Sequence, residues 1–265
     1  MEMNVIKYLC FAEYVGKSFC GWQNQGKPSN QPTVSGALED TLRYIIRKPI
    51  DKGFIKSFSL QGSSRTDSGV HAISNAFHIE FTTLPNFVLI QPTNLVFKFN
   101  QELKKANHLI RVKRIEEVSP DFHARFNALY RKYIYKIYIG QSSVFLENYY
   151  WVIDDIDREK LCQAVEIFKN PINPVNLCRP DEKRPIDEQM EIETWVEAKE
   201  NVIEIHFKSI RFFWHQIRYM TGALVGYASN KITQEEFEGF FKGKENKKPK
   251  LAPSAGLYLA EVAYP

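Results

Sequence analysis

The run Lys7 to Val15 (K-Y-L-C-F-A-E-Y-V) reads as a first strand, and from Thr33 the apolar spacing lengthens to three and four. Val34, Leu38, Leu42 and Ile45 then share one helical face, with Thr33 as cap and Pro49 as the expected stop. Phe54, Ile55, Phe58 and Leu60 mark a second strand. A third runs from Asn75 to Phe81, where Phe77, Ile79 and Phe81 alternate with Ala76, His78 and Glu80. Asn86 to Lys105 returns to helical spacing through Leu95, Val96, Phe99 and Leu103, and Ile110 to Val118 alternates again. This order predicts an α+β fold with antiparallel-prone pairing.

Near Ser119-Pro120 the pattern restarts, which predicts an N-terminal subdomain over 1–118 and a C-terminal one over 119–265. Tyr133, Tyr135, Ile137 and Ile139 fall on one face of a strand. Asp157 to Lys169 reads as a capped helix, and 170–185 as irregular chain. Met190 to Ala198 and Val202 to Ser209 form a hairpin pattern around Glu200-Asn201. Arg211 to Ser229 reads as a long apolar helix carrying Arg218 beside its inner face. Thr233 to Glu236 is a capping box opening a short helix. No internal repeat is visible.

Composition narrows the class without naming a function. With 265 residues, 44% hydrophobic and 25% charged, the chain is long enough for one large core or two packed subdomains. Its net charge of +4 permits a nucleic-acid partner without requiring one. Basic side chains concentrate in Lys104 to Arg114 and Lys242 to Lys250; solvated faces are the commoner reading of such runs, and phosphate contact the second. Cys10, Cys20, Cys162 and Cys178 form no C-x-x-C pair and have no clustered histidines, so a structural zinc site is not expected. No run is apolar enough to cross a membrane, and no targeting presequence is recognised. The expectation is a cytoplasmic protein, with nucleus and mitochondrion left open.

The candidate chemistry lies between the second and third strands, in Gln61 to Ala72 (Q-G-S-S-R-T-D-S-G-V-H-A). A carboxylate held near a guanidinium on a short glycine-punctuated loop suits a nucleophile or a base. Taken alone, R-T-D-S-G is more often an Asx-turn in which Asp67 caps its own loop. Arg218, half-buried on its helix, calls for a carboxylate partner, with snorkelling or a structural ion pair as the competing readings.

Arg65 to Ala72 resembles the G-R-T-D-x-G-V-H-A motif of the TruA-type tRNA pseudouridine synthases, with Ser64 standing where that family usually has glycine. Further matches follow in the family's order. They are F-x-G-W-Q-x-Q from Phe19 to Gln25, F-H-A-R-F from Phe122 to Phe126, and R-x-Y-x-Y from Arg131 to Tyr135. The last two are the Q-I-R-x-M-x-G stretch around Arg218 and A-P-x-x-G-L-x-L from Ala252 to Leu259. Two departures stand out: Tyr14-Val15-Gly16-Lys17 replaces Tyr-Asp-Gly-Thr, and Asn170 to Asn176 replaces a G-x-H-D-F-like stretch.

The resemblance implies two similar subdomains sharing a continuous mixed, mostly antiparallel sheet flanked by helices, with a basic cleft between them. It implies isomerisation of uridine to pseudouridine at positions 38 to 40 of the tRNA anticodon stem-loop, by a homodimer and without cofactor or metal. Asp67 becomes the catalytic aspartate, Arg218 its partner and Tyr133 the active-site tyrosine stacking on the target base. Arg65, Leu257, His71 and Arg125 become substrate-contacting residues, with Leu257 under the uracil and Arg65 in the space left by a flipped base. Two rival classes stand beside this reading. A catalytically silent tRNA-binding relative does not need Asp67, Tyr133 and Arg218 intact. A cofactor-free glycosidase normally uses paired carboxylates, and no second acid accompanies Asp67 in its motif.

Overall fold

The computed structural model describes residues 3–23, 31–180, 186 and 189–265. Asn24 and Gln25 of the glycine-tryptophan loop, and 181–185 of the irregular stretch, lie outside these residues. The fold is α+β, with mostly antiparallel strands and flanking helices. Among the described residues no helix is long and apolar enough to cross a membrane. The chain divides into two compact units, Met1–Leu129 with Leu259–Pro265, and Tyr130–Tyr258.

In the first unit, β1 (Asn4–Tyr14) pairs antiparallel with β3 (His71–Thr83) and with β4 (Ile110–Val118), and β2 (Ile55–Gly62) pairs with β3. Helix α1 (Val34–Ile45) begins where expected: the Thr33 hydroxyl accepts the Gly36 N–H at 3.0 Å. Pro49, however, does not end it. Ile46 breaks the helix with φ −99° and ψ 12°, and Pro49 sits in the first turn of a short second helix, α2 (Arg47–Asp51). A proline is tolerated there because an N–H in the first turn has no intrahelical acceptor. Helix α3 (Pro92–Lys105) buries Leu95, Phe99 and Leu103 and packs on β4 and α1.

Strand β3 departs from simple alternation. Phe77, Ile79 and Phe81 are buried as their spacing requires, yet Ala76 and His78 on the opposite face are buried too. A turn over 119–127 covers that face. Lys7 donates from Nζ to the Phe122 carbonyl, the Tyr264 hydroxyl to the Ala124 carbonyl, and the Ala124 N–H to His78 Nδ1. These bonds place 119–127 in the first unit, so the division falls at Leu129–Tyr130, beyond the change of pattern at Ser119-Pro120.

The second unit carries β5 (Tyr130–Ile139), antiparallel to β8 (Val202–Ser209), which in turn pairs with β7 (Glu193–Lys199). The short β6 (Trp151–Ile153) runs parallel to β5. Tyr133, Tyr135 and Ile137 are buried on one face of β5, as are Ile203, Ile205 and Phe207 on β8. Helix α4 (Arg158–Ala164) is capped by Asp157 as expected and passes into a 3-10 turn over Val165–Lys169. Helix α5 covers Gln216–Ala228, starting later than the apolar spacing from Arg211 suggests. His215 adopts φ 62°, a left-handed conformation that no helix propagates through, and the Gln216 side chain accepts the Phe213 N–H at 2.8 Å. Helix α6 (Gln234–Lys242) opens on the expected capping box between Thr233 and Glu236 and ends at Gly243, φ 69°. The last strand, β9 (Leu257–Ala263), belongs to the second unit at its start and to the first from Leu259.

Candidate active site

The Asp67 loop joins β2 to β3 and is held from both sides. Val70 donates its N–H to the Asp67 carbonyl at 3.1 Å, closing a turn whose third residue, Gly69, has φ 80°. That value is the one a type II turn demands at this position, which explains the glycine after Ser68. Trp22 donates its N–H to the Thr66 carbonyl at 3.0 Å, while the Thr66 hydroxyl meets the Tyr14 hydroxyl at 2.7 Å. Asn75 completes the cluster, donating to Tyr14 Oη and to the Ser64 carbonyl, each at 3.2 Å. Thr66, Tyr14 and Asn75 are all buried.

Gly16 lies against the same loop so closely that a Cβ there would come within 2.0 Å of the Val70 carbonyl oxygen. Its N–H donates to His71 Nδ1 at 3.2 Å. His71, expected to contact substrate, is only 2% exposed and has this backbone contact. The Tyr14-Val15-Gly16-Lys17 departure therefore keeps the two groups the loop uses, the tyrosine hydroxyl and the glycine backbone. Between these anchors Arg65 is exposed and Asp67 half-buried, so the guanidinium faces solvent and the carboxylate sits at the edge of the packed region.

The F-H-A-R-F segment belongs to the same unit. His123 Nε2 lies 3.1 Å from Gln61 Oε1, and its ring packs at a tilt of 34° against Phe126 with centroids 4.3 Å apart. Arg125 is half-buried and donates its N–H to His123 Nδ1 at 3.1 Å. The His78 imidazole beneath has its pKa lowered to about 4, chiefly by burial and then by His123 and Lys7. A neutral His78 is what the Ala124 N–H needs as its acceptor.

Tyr133, Arg218 and Leu257 lie in the second unit. Tyr133 is 9% exposed and packs edge-on against Phe212, centroids 5.3 Å apart. Leu257, 5% exposed, opens β9. Arg218 is half-buried and donates from Nε to the Ala252 carbonyl at 2.7 Å, while the Ala252 N–H returns to the Arg218 carbonyl at 3.2 Å. One turn on, a Cβ at Gly222 would approach the Lys250 carbonyl oxygen to 1.7 Å, so α5 and the chain over 250–252 are in backbone contact. Tyr135 adds a third tie, its hydroxyl donating to the Pro253 carbonyl at 2.7 Å; burial raises its pKa well above the usual tyrosine value. Three separate stretches of sequence, R-x-Y-x-Y, Q-I-R-x-M-x-G and A-P-x-x-G-L, thus meet around Ala252 and Pro253.

These supporting contacts escaped sequence reasoning, which singles out Asp67 and Arg218 but not Thr66, Tyr14, Asn75 or Tyr135 as their holders. Their signal is present only as motif letters. The basic runs also read differently in place. Lys242 pairs with Glu238 and Lys247 with Glu236, each at 2.6 Å, and Lys248 donates to the carbonyls of Val175 and Cys178. Lys244 and Lys250 are exposed. On β4, Lys113 and Arg114 lie 3.9 and 3.6 Å from Glu13 and Glu116, and Arg111 is exposed.

Comparison with known proteins bears on the whole chain. A family model described as tRNA pseudouridine synthase matches residues 10–127 and 176–265. These spans hold Arg65, Asp67, His71, Arg125, Arg218 and Leu257, and Tyr133 falls between them. The chain is 32% identical over 263 residues to a protein named tRNA pseudouridine synthase A from Mycoplasma genitalium, covering 97% of this chain and 98% of that one. It is 30% identical over 258 residues to the protein of that name from Agrobacterium fabrum, covering 96% and 90%. With the Dictyoglomus thermophilum protein of the same name the figure is 29% over 255 residues, covering 95% and 96%. Agreement of this extent, through both units and around the Asp67 loop, means that the chain belongs to the tRNA pseudouridine synthase family.

Proposed function

We propose that this protein isomerises uridine to pseudouridine in the anticodon stem-loop of tRNA, at positions 38 to 40, with Asp67 as the catalytic carboxylate. The observation that carries the reading is the Asp67 loop itself. The loop that carries this half-buried aspartate, two residues from an exposed arginine, is fixed at Ser64, Thr66 and His71 by Tyr14, Trp22, Asn75 and Gly16, none of which is needed for a mere surface turn. Full-length similarity to proteins named tRNA pseudouridine synthase A supports the substrate class.

The reaction breaks the N1–C1′ bond, turns the uracil, and joins C5 to C1′. The proton on C5 is lost and N1 gains one, so the product is an isomer and no electrons are exchanged. A carboxylate can serve by attacking the sugar or the base, or by taking a proton from the ribose. In this reading Arg218, whose Nε donates to the Ala252 carbonyl, is the partner that the family resemblance gives that carboxylate. The target base leaves its stack, lies between Tyr133 and Leu257, and Arg65 occupies part of the vacated space. The working form is a homodimer, as the family resemblance implies.

Incubation of the purified protein with unmodified tRNA carrying tritium at C5 of uridine, in EDTA, tests the reading. Tritium release confined to positions 38 to 40 is expected, and Asp67→Asn should abolish it while tRNA affinity stays within about twofold, because phosphate contacts dominate binding. Absence of release from the wild-type protein would leave the silent tRNA-binding reading in its place.

A further inference from the structure

The hairpin of β7 and β8 carries a group of side chains that the isomerisation does not use. Strand register sets Glu197 directly opposite Glu204 and Trp195 opposite His206. Two carboxylates facing each other across a strand pair repel, so the arrangement needs a cation. On the other side of β8, Lys136 of β5 meets one oxygen of Glu204, Nζ to Oε1 at 2.7 Å. The second oxygen of Glu204 and the carboxylate of Glu197 point instead at His206. Nε2 lies 3.4 Å from Glu197 Oε1 and 3.7 Å from Glu204 Oε2.

His206 is the unusual member. Its side chain is 4% exposed, and both ring nitrogens are buried with no hydrogen-bond partner, since neither carboxylate oxygen lies where an N–H···O bond would form. A buried polar atom left so is costly unless something else completes it. The Trp195 ring lies flat on the imidazole, centroids 4.6 Å apart and planes 4° from parallel, which fixes the direction of the nitrogens. Burial lowers the His206 pKa, and Lys132 and Lys136 act in the same sense against Glu197 and Glu204.

We propose that Glu197, Glu204 and His206 form a binding site for a divalent first-row transition ion of the zinc type. Their three donor atoms lie within 4.8 Å of one another. A tetrahedral ion with bonds of about 2.1 Å holds its ligand atoms about 3.4 Å apart, close to the separations about Nε2. Two carboxylates and an imidazole leave a fourth position for water, and the absence of thiolate favours zinc, manganese or iron(II) over copper(I). The supporting bonds are in place. Trp195 Nε1 donates to Glu197 Oε1 at 3.0 Å, and Lys136 holds the non-ligating oxygen of Glu204. The cysteine spacing that argues against a zinc site has no bearing on this one, which uses no cysteine. None of its residues is proposed to touch uridine, so the ion ties β7 to β8 and takes no part in isomerisation.

Calorimetric titration of the EDTA-stripped full chain with Zn²⁺ tests the assignment, with Co²⁺ quenching of tryptophan fluorescence as a second reading. One ion per chain and a raised thermal midpoint are expected. Glu204→Gln and His206→Gln should each weaken binding at least tenfold, and Trp195→Phe should remove most of the Co²⁺ quenching. Glu197→Gln decides the matter without disturbing the core: Glu197 is exposed, and this variant too should lose at least tenfold. No saturable binding below millimolar Zn²⁺ would overturn the proposal. So would binding that survives in Glu197→Gln and Glu204→Gln but vanishes in Cys20→Ser or Cys162→Ser.

Discussion

Thr66→Val separates the scaffold of the Asp67 loop from its chemistry. Valine keeps the branched shape and removes only Oγ1, which meets Tyr14 Oη at 2.7 Å where both residues are 4% exposed. No water can replace the lost partner at so buried a site, so the substitution should cost about 1–3 kcal/mol. For a protein of this size that is a fall in thermal midpoint of about 2–10 °C. The Trp22 N–H still reaches the Thr66 carbonyl, and Val70 still closes the turn on Asp67, so the loop stays attached but loses its second anchor. A misplacement of about 1 Å at a reacting group can cost about a hundredfold in rate.

The assay is single-turnover tritium release at saturating enzyme, beside tRNA binding by filter retention. Thr66→Val should slow release by one to two orders of magnitude with affinity within about twofold, and Thr66→Ser, which keeps the hydroxyl, should recover most of the rate. A Thr66→Val protein that melts earlier yet turns over at the wild-type rate would refute the idea that this contact aims Asp67. Parallel loss of affinity and rate would point to a general collapse of the loop.

Acid should loosen the F-H-A-R-F turn through His78. Its folded pKa of about 4 lies below the unfolded value of 6.5, so the stability it confers is complete above pH 6.5 and is lost as pH falls towards 4, by about 3 kcal/mol in all. Urea midpoints between pH 7 and 4 should show this slope, and His78→Gln should flatten it; an equal slope in the variant would assign it elsewhere. Arg218→Lys should lower the single-turnover rate at least tenfold with tRNA affinity nearly unchanged, because a lysine cannot both reach the Ala252 carbonyl and present a planar fork to a carboxylate. A near-normal rate would make Arg218 a tie between α5 and the chain at Ala252 and nothing more. Lys244→Glu with Lys250→Glu should flatten the plot of log affinity against log salt by up to about two units, whereas Lys242→Glu and Lys247→Glu, already paired with Glu238 and Glu236, should change it less. Equal effects from the two pairs would return the whole run to a solvated surface.

Much of this architecture was legible from spacing. Periodicity finds β1 to β5, β7 and β8, though not β6 or β9, and the Thr33 and Asp157 caps and the Thr233 capping box, because each depends on residues within one or two turns. It errs where a single backbone conformation decides. Phe212 and Phe213 continue the apolar rhythm of α5, but the left-handed His215 cuts them off, and nothing in hydrophobic spacing registers a dihedral angle. It is also silent about which distant polar atoms meet. Tyr14 and Thr66 are 52 residues apart in sequence, and no local rule pairs their hydroxyls.

The motif letters themselves carry more scaffold than chemistry. In R-T-D-S-G-V-H-A, Thr66, Gly69 and His71 hold backbone in place, while Arg65 is exposed and Asp67 half-buried. Tyr135, Gly222 and Ala252 stand in the same relation to Arg218. An isolated R-T-D-S-G is ambiguous for this reason: the three residues that would aim its aspartate are useless unless Tyr14, Gly16 and Trp22 stand ready upstream to receive them. Their presence, in a loop that departs from the family pattern at Val15 and Lys17 yet keeps Tyr14 and Gly16, is a stronger argument for an aimed carboxylate than the aspartate itself.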